Sequence, residues 1–253
     1  MKKNHNLIEK FTKKINDILE ILYGKSIDVS LSEILLFFIV ISIFVSLVLS
    51  INITINQVKL IDTISQISRL KLSINEFQNK FGRLPGDIKN TKLLNITYYD
   101  TDGNENGIID FNYELKNNLK INHNKMLSKE HSNFWLHLYN NTMFSEETNN
   151  ILPQIPLNKN RYLDLVSYKN KNYIFVGVEF DNENVIYNNN TLTPIDSYMI
   201  DKKIDNGLSD SGKIIDFLYD NKDSNNLKVN CSNLGYYNVI YNKKVCSLLI
   251  GLD

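Results

Sequence analysis

Residues 30–55, SLSEILLFFIVISIFVSLVLSINITI, are apolar on every helical face, and Glu33 is the only formal charge among them. A hydrocarbon core of about 30 Å takes roughly 20 residues at 1.5 Å rise each, so the run predicts a membrane-spanning helix. Beyond it apolar residues recur at Val58, Ile61, Ile64, Ile67, Leu70, Ile74, Phe77 and Phe81. Those steps of three and four draw a stripe along one side of a helix. The pattern therefore predicts one long helix, half in lipid and half in water. It should stop at Gly82, which suits a left-handed C′ position, with Pro85 three residues later unable to continue the ladder.

Further along, residues 130–138 (EHSNFWLHL) place Phe134, Trp135 and Leu138 on a helical face for a core. After the Leu152-Pro153 and Ile155-Pro156 breaks the period changes. Residues 172–180 (NYIFVGVEF), 184–187, 236–241 and 245–250 read as strands, with Asn242-Lys243-Lys244 of hairpin size between the last two. The fold class expected is α+β, a long N-terminal helix packed on a C-terminal antiparallel sheet. The division expected is a leader over 1–28, a transmembrane helix over 29–55, its extracytoplasmic continuation over 56–81 and one globular domain over 82–253.

Charge changes this picture at one place only. The 28 basic and 28 acidic side chains cancel, and no Lys/Arg patch with interleaved aromatics supports nucleic-acid binding. Residues 1–28, however, carry Lys2, Lys3, Lys10, Lys13, Lys14 and Lys25 against four acids, and no cation follows the apolar run until Lys59. Lys-rich flanks stay in the cytoplasm, so the chain is expected to cross once and hold its C-terminal domain outside. Two cysteines, Cys231 and Cys246, fall in that domain. A disulfide between them would close a loop of about 15 residues and stabilise by roughly 3 kcal/mol in the chain-entropy model. Two unpaired buried thiols are the alternative.

Candidate chemistry is sparse. Residues 99–114 (YDTDGNENGIIDFNYE) contain Asp102, Asn104, Asn106 and Gly107 in the spacing D-x-[DN]-x-[DN]-G, in which alternate oxygens wrap a hard cation and the glycine allows the bend. Ile108 would add its carbonyl and Asp110 a direct or water-bridged oxygen, making calcium the cation expected. The closing acid is absent, since Tyr113 holds its position and Glu114 comes one place late. An Asx-rich turn without an ion is the other reading. His131 and His137 lack the i, i+4 spacing or cysteine neighbours of a metal site. Residues 207–213 have the G-x-x-x-x-G-K outline of a P-loop, yet Ile214 stands where Ser or Thr must reach magnesium and the preceding residues are polar. No Ser/His/Asp, Cys/His or paired-carboxylate signal points to an enzyme. Ser30 and Glu33, spaced Ser-x-x-Glu, are also the pattern of a capping box at a helix start.

The leader, the acid near the helix start and the half-buried helix together resemble type IV pilins and the pseudopilins of type II secretion. Aligning Glu33 with the family's acid puts Val29 at the mature N-terminus and Asp28 where the family has glycine. Leu84 to Asp87 resemble the Leu-Pro-Gly-Asp block of one pilin-like subgroup. Glu130, Phe134, Trp135, His137 and Leu138 resemble its Phe-Trp helix, and residues 193–213 its C-terminal acidic turn, followed there by disulfide-closed strands. The resemblance implies a pilin-like fold and a minor pilin or pseudopilin built into a pilus or pseudopilus. Implied partners are other pilin or pseudopilin subunits, an inner-membrane assembly platform and a prepilin peptidase acting at Asp28–Val29. Glu33 would pair with a neighbour's N-terminal amine, and the domain would lie in the periplasm or in a surface filament. The competing reading is a permanently membrane-anchored, calcium-dependent binding module outside the cytoplasm.

Overall fold

The computed structural model describes residues 13, 14, 17, 31–89, 103–110, 120–122, 129–140, 152–181, 184–187, 190–217 and 231–252. Helix α1 (Leu31–Phe81) runs through both of the compact units into which the chain divides, Met1–Gln57 and Val58–Asp253.

In the first unit the helix is apolar and bare. From Leu35 onward its large apolar side chains are exposed, and this helix, near the N-terminus, is long and apolar enough to cross a membrane. Its hydroxyls are prepared for such a setting. Ser42 donates to the Ile39 carbonyl, Ser46 to Ile43, Ser50 to Ser46 and Thr54 to Ser50, at 2.8–2.9 Å. A hydroxyl in hydrocarbon has no water to bind, so a bond back to the preceding turn removes most of the cost of placing it there.

The second unit is α+β. Ile67, Leu70, Ile74 and Phe77 of α1 are buried in one core cluster, while Ile64 and Phe81 pack at its margin. The expected stripe is too long at its start, because Val58 and Ile61 are more than half exposed. Polar residues of the same helix face are used as ties: Gln66 donates to the Gln154 carbonyl, Thr63 Oγ1 accepts from Leu157 N–H, and Lys71 donates to the Gly251 carbonyl at 2.7 Å. As expected, the helix ends at Phe81, with Gly82 at φ 72° donating to the Gln78 carbonyl.

Against this helix lies a seven-stranded antiparallel sheet with β1 (Lys120–Asn122), β2 (Gln154–Ile155), β3 (Asn158–Tyr168), β4 (Lys171–Asp181), β5 (Asn184–Tyr187), β6 (Ile214–Asp216) and β9 (Leu248–Gly251). The order is β1-β5-β4-β3-β2, and β9 pairs with both β4 and β6. Strand β4 is the centre: β3 pairs along one edge, while β9 pairs at residues 173–176 and β5 at residues 178–181. The β3–β4 turn is two residues long, with Lys169 and Asn170 both left-handed, a geometry whose twist matches that of the strands. A register shift opposite Tyr162 and Leu163 leaves Gly177 as the extra residue of a bulge.

Helix α2 (Lys129–Asn140) buries Phe134, Trp135 and Leu138 as expected. Helix α3 (Pro194–Ile204) starts at a full capping box between Thr193 and Asp196. A separate hairpin pairs β7 (Ser232–Asn233) with β8 (Tyr236–Tyr237). Two strand expectations need correction. Only Tyr236 and Tyr237 of residues 236–241 are extended, because Val239 and Tyr241 donate to the Tyr237 and Asn238 carbonyls in turns. Nor do the last two strands form a hairpin through residues 242–244, since β8 pairs with β7 and β9 with the main sheet.

Candidate functional site

The site begins where α1 ends. Leu84-Pro85-Gly86-Asp87 is a type II turn: Asp87 N–H reaches the Leu84 carbonyl at 3.1 Å, and Gly86 takes φ 85° at the position that requires it. This turn delivers the Asp87 carboxylate to the segment 103–110, where its Oδ2 accepts the Gly107 N–H at 2.7 Å. From the first turn of α2, Glu130 reaches the same segment. Its Oε1 accepts Asn104 N–H and its Oε2 accepts Asp110 N–H, each at 2.8 Å.

Two buried carboxylates from two different elements thus gather three backbone donors of one loop. Burial pushes both carboxyls above their ordinary range, partly offset by those N–H groups. Asn172 of β4 closes the arrangement, donating to the Gly107 carbonyl at 2.8 Å and accepting Ile109 N–H at 3.0 Å. A Cβ on Gly103 would stand 2.6 Å from the Asp87 backbone, so the loop can lie this close only as glycine.

The predicted calcium ligands divide. Asp102 lies outside the described residues. Asn104 Oδ1 accepts Asn106 N–H at 2.9 Å and Asn106 Oδ1 accepts Ile108 N–H at 2.7 Å, two consecutive Asx turns. With its oxygen held that way, Asn104 turns its amide N–H toward Asp110 Oδ2, 3.0 Å away. As a cage for a cation, the four described members do not fit in this arrangement, because a donor faces the acid across the space an ion would need.

A second pair of carboxylates repeats the first device after α3. Asp201 accepts Gly207 N–H at 2.9 Å and the Tyr237 hydroxyl at 2.9 Å, and Asp205 accepts the Lys213 and Ile214 N–H groups. Burial raises both the Asp201 carboxyl and the Tyr237 hydroxyl above their usual values. The loop with the P-loop outline therefore turns amide donors onto its own acids, where a phosphate would have needed them free.

The core also holds a buried polar cluster. Asp164 of β3 receives Trp135 Nε1–H at 3.1 Å, Leu165 N–H at 2.8 Å and the Tyr187 hydroxyl at 2.5 Å, with His131 Nε2 2.8 Å from its Oδ1. Burial and the Asp164 charge hold the Tyr187 hydroxyl well above its ordinary value. The other histidine of α2, His137, stacks on Phe77 and uses Nδ1 to accept Gly86 N–H at 2.8 Å.

Cys231 and Cys246 are disulfide-bonded, with Asp216 close to both sulfurs. Because the sulfurs are spent on each other, that trio offers a metal no thiolate. Glu33 lies exposed in the first turn of α1, and the processing pair Asp28 and Val29 falls outside the described residues. Asp87, Glu130, Asp164 and Asn172 are the organising residues; motif reading named Asp87 and Glu130 without their role at this loop and passed over Asp164 and Asn172 as site residues. Of the two passed over, Asp164 carried a visible signal, an acid inside the apolar run YLDLV.

No family model, curated protein or solved structure matches the chain.

Proposed function

We propose that this chain is a structural subunit of the minor pilin or pseudopilin kind, held in a membrane by the apolar segment 29–55 and assembled through that helix into a pilus or pseudopilus. The observation that carries the reading is the continuity of α1. One helix runs from a lipid-length apolar segment with a single acid, Glu33, to a second unit whose core it enters at Ile67–Phe77.

An isolated carboxylate in an apolar bundle is costly, whereas one paired with a neighbour's amine sets a register. Between helices in lipid, packing and such pairs drive association, since lipid is as apolar as leucine. The role is assembly by transfer of the rod from lipid into a bundle of neighbours, and the domain beyond the membrane, closed near its end by the Cys231–Cys246 disulfide, is what the assembly presents.

Replacing residues 31–55 by an unrelated single-span anchor tests the proposal. Loss of crosslinked multimers from membranes is the expected result, and full function with the foreign anchor refutes it. Mass spectrometry of the native N-terminus adds a second arm, with a chain beginning at Val29 expected. Asp28, in place of the family's glycine, favours the other reading, a permanently anchored binding module. An intact Met1 end together with a calcium-dependent rise in melting temperature would establish that module instead.

A further inference from the structure

Leu60, Ile61 and Ile64 of α1 and Met199, Lys202 and Lys203 of α3 line an open, mostly apolar groove of 480 Å³ in the second unit. Ile61 is 63% exposed and Met199 44%, and Lys202 and Lys203 stand exposed at the end of α3. Lys203 makes no ion pair among the described residues, and Lys202 is 5.4 Å from the Tyr198 ring centre. An apolar floor with two exposed ammonium groups at its rim is complementary to a molecule with a hydrocarbon part and an anionic head.

We propose that this groove takes an anionic phospholipid of the bilayer the chain spans, its acyl segment against Ile61, Ile64 and Met199 and its phosphate at Lys202 and Lys203. The inference rests on the reading of residues 29–55 as a membrane segment. Leu60 comes only five positions after Ile55, the end of the apolar run, and even fully extended that stretch spans no more than about 18 Å. The groove is therefore tethered within a short distance of the headgroup layer whatever the domain's orientation. A lipid in that layer is always at hand, whereas another copy must first be recruited. Each lysine near an anionic surface contributes roughly a fivefold preference for it.

The test uses the full chain in vesicles of phosphatidylcholine, with and without phosphatidylglycerol, carrying doxyl-labelled lipid as quencher. A fluorophore is placed at Met199→Cys, and as a control at Leu72→Cys, which is exposed on the same helix but away from the groove. Quenching at position 199 should exceed the control and rise with phosphatidylglycerol. Lys202→Glu with Lys203→Glu should lower the lipid preference by at least about 25-fold, the product of two lost lysines before any repulsion from the new carboxylates.

Equal quenching with and without phosphatidylglycerol, or quenching that ignores the lysine reversals, overturns the proposal. Absent quenching at 199 together with crosslinks from 199 to a second copy also overturns it and assigns the groove to a neighbour. Vesicle flotation separates the two layers of the argument. A chain that fails to float with vesicles brings down the membrane reading and the proposal together, and one that floats without quenching brings down the groove proposal alone.

Discussion

His137 Nδ1 accepts the backbone N–H of Gly86 at 2.8 Å, joining α2 to the turn that ends α1 through a single neutral imidazole. Burial lowers this histidine from 6.5 to about 4. Between those values the unfolded chain binds the proton and the folded chain does not, so this group's contribution is complete above pH 6.5 and is lost as pH falls toward 4. The full difference is about 3 kcal/mol at 1.36 kcal/mol per unit. Asp87, Glu130 and Asp201 are shifted upward and act in the opposite sense, losing stability as pH rises. The comparison that isolates the imidazole is with His137→Asn, whose Oδ1 can accept the same N–H without titrating. Melting temperatures across pH 4–7 should show the wild type losing more than the variant on acidification, and parallel curves would refute the assignment.

Two glycines with the same backbone sign should respond differently to alanine. Gly82 and Gly86 have φ 72° and 85°, but a Cβ on Gly82 meets nothing within 4 Å, whereas one on Gly86 would overlap the Glu130 carbonyl oxygen and stand 3.0 Å from Phe134 N. Gly82→Ala carries only the left-handed strain, about 1 kcal/mol. Gly86→Ala must also push α2 away from the turn, and a loss above roughly 2 kcal/mol is expected. Equal losses in thermal or urea unfolding would mean that the close approach of turn and helix does not govern Gly86.

How far these relations were legible in the sequence depends on their range. The end of α1 at Gly82 and the turn at Leu84–Asp87 were readable because each is fixed by residues within four positions of itself. The face of α2 was readable from its period, and the cysteine pair from its isolation. Strand β3 was missed because it is buried along residues 163–166 on both faces and so does not alternate. Helix α3 was missed because its block was read as an acidic turn, although Thr193, Pro194 and Asp196 spell its start. The roles of Asp87 and Glu130 depend on partners 20 to 26 residues away, which no local pattern displays.

The hydrogen bonds of the 103–110 loop bear directly on calcium. Asn104 and Asn106 spend their oxygens on backbone amides, and Asp110 Oδ2 faces the Asn104 amide. A cation would have to break at least the last contact to enter. Millimolar calcium is therefore expected to leave the melting temperature of the full chain unchanged, since only binding to the folded state raises it. A rise of several degrees that chelator reverses would show that the loop rearranges around an ion. Glu130→Gln is the informative companion, because it replaces one acceptor oxygen with an N–H2 facing a backbone donor. It should destabilise by about 1–3 kcal/mol with or without calcium.

Asp164 is a hub of buried hydrogen bonds in the second unit. It is buried, and three donors from three other positions, Trp135, Tyr187 and the Leu165 amide, converge on it beside His131. Asp164→Ala strands those groups without an acceptor in the core. A loss of about 3–5 kcal/mol is expected, the range for removing one member of a buried polar pair. Tyr187→Phe removes only one donor and leaves the carboxylate its other partners, so about 1–2 kcal/mol is expected. Because the two share one network, the double variant should lose less than the sum of the singles. Additive losses in urea unfolding, or an Asp164→Ala loss below about 1 kcal/mol, would show that the cluster does not act as a unit. The expected coupling would instead identify the contact between β3, β5 and α2 as the point from which the rest of the second unit is held.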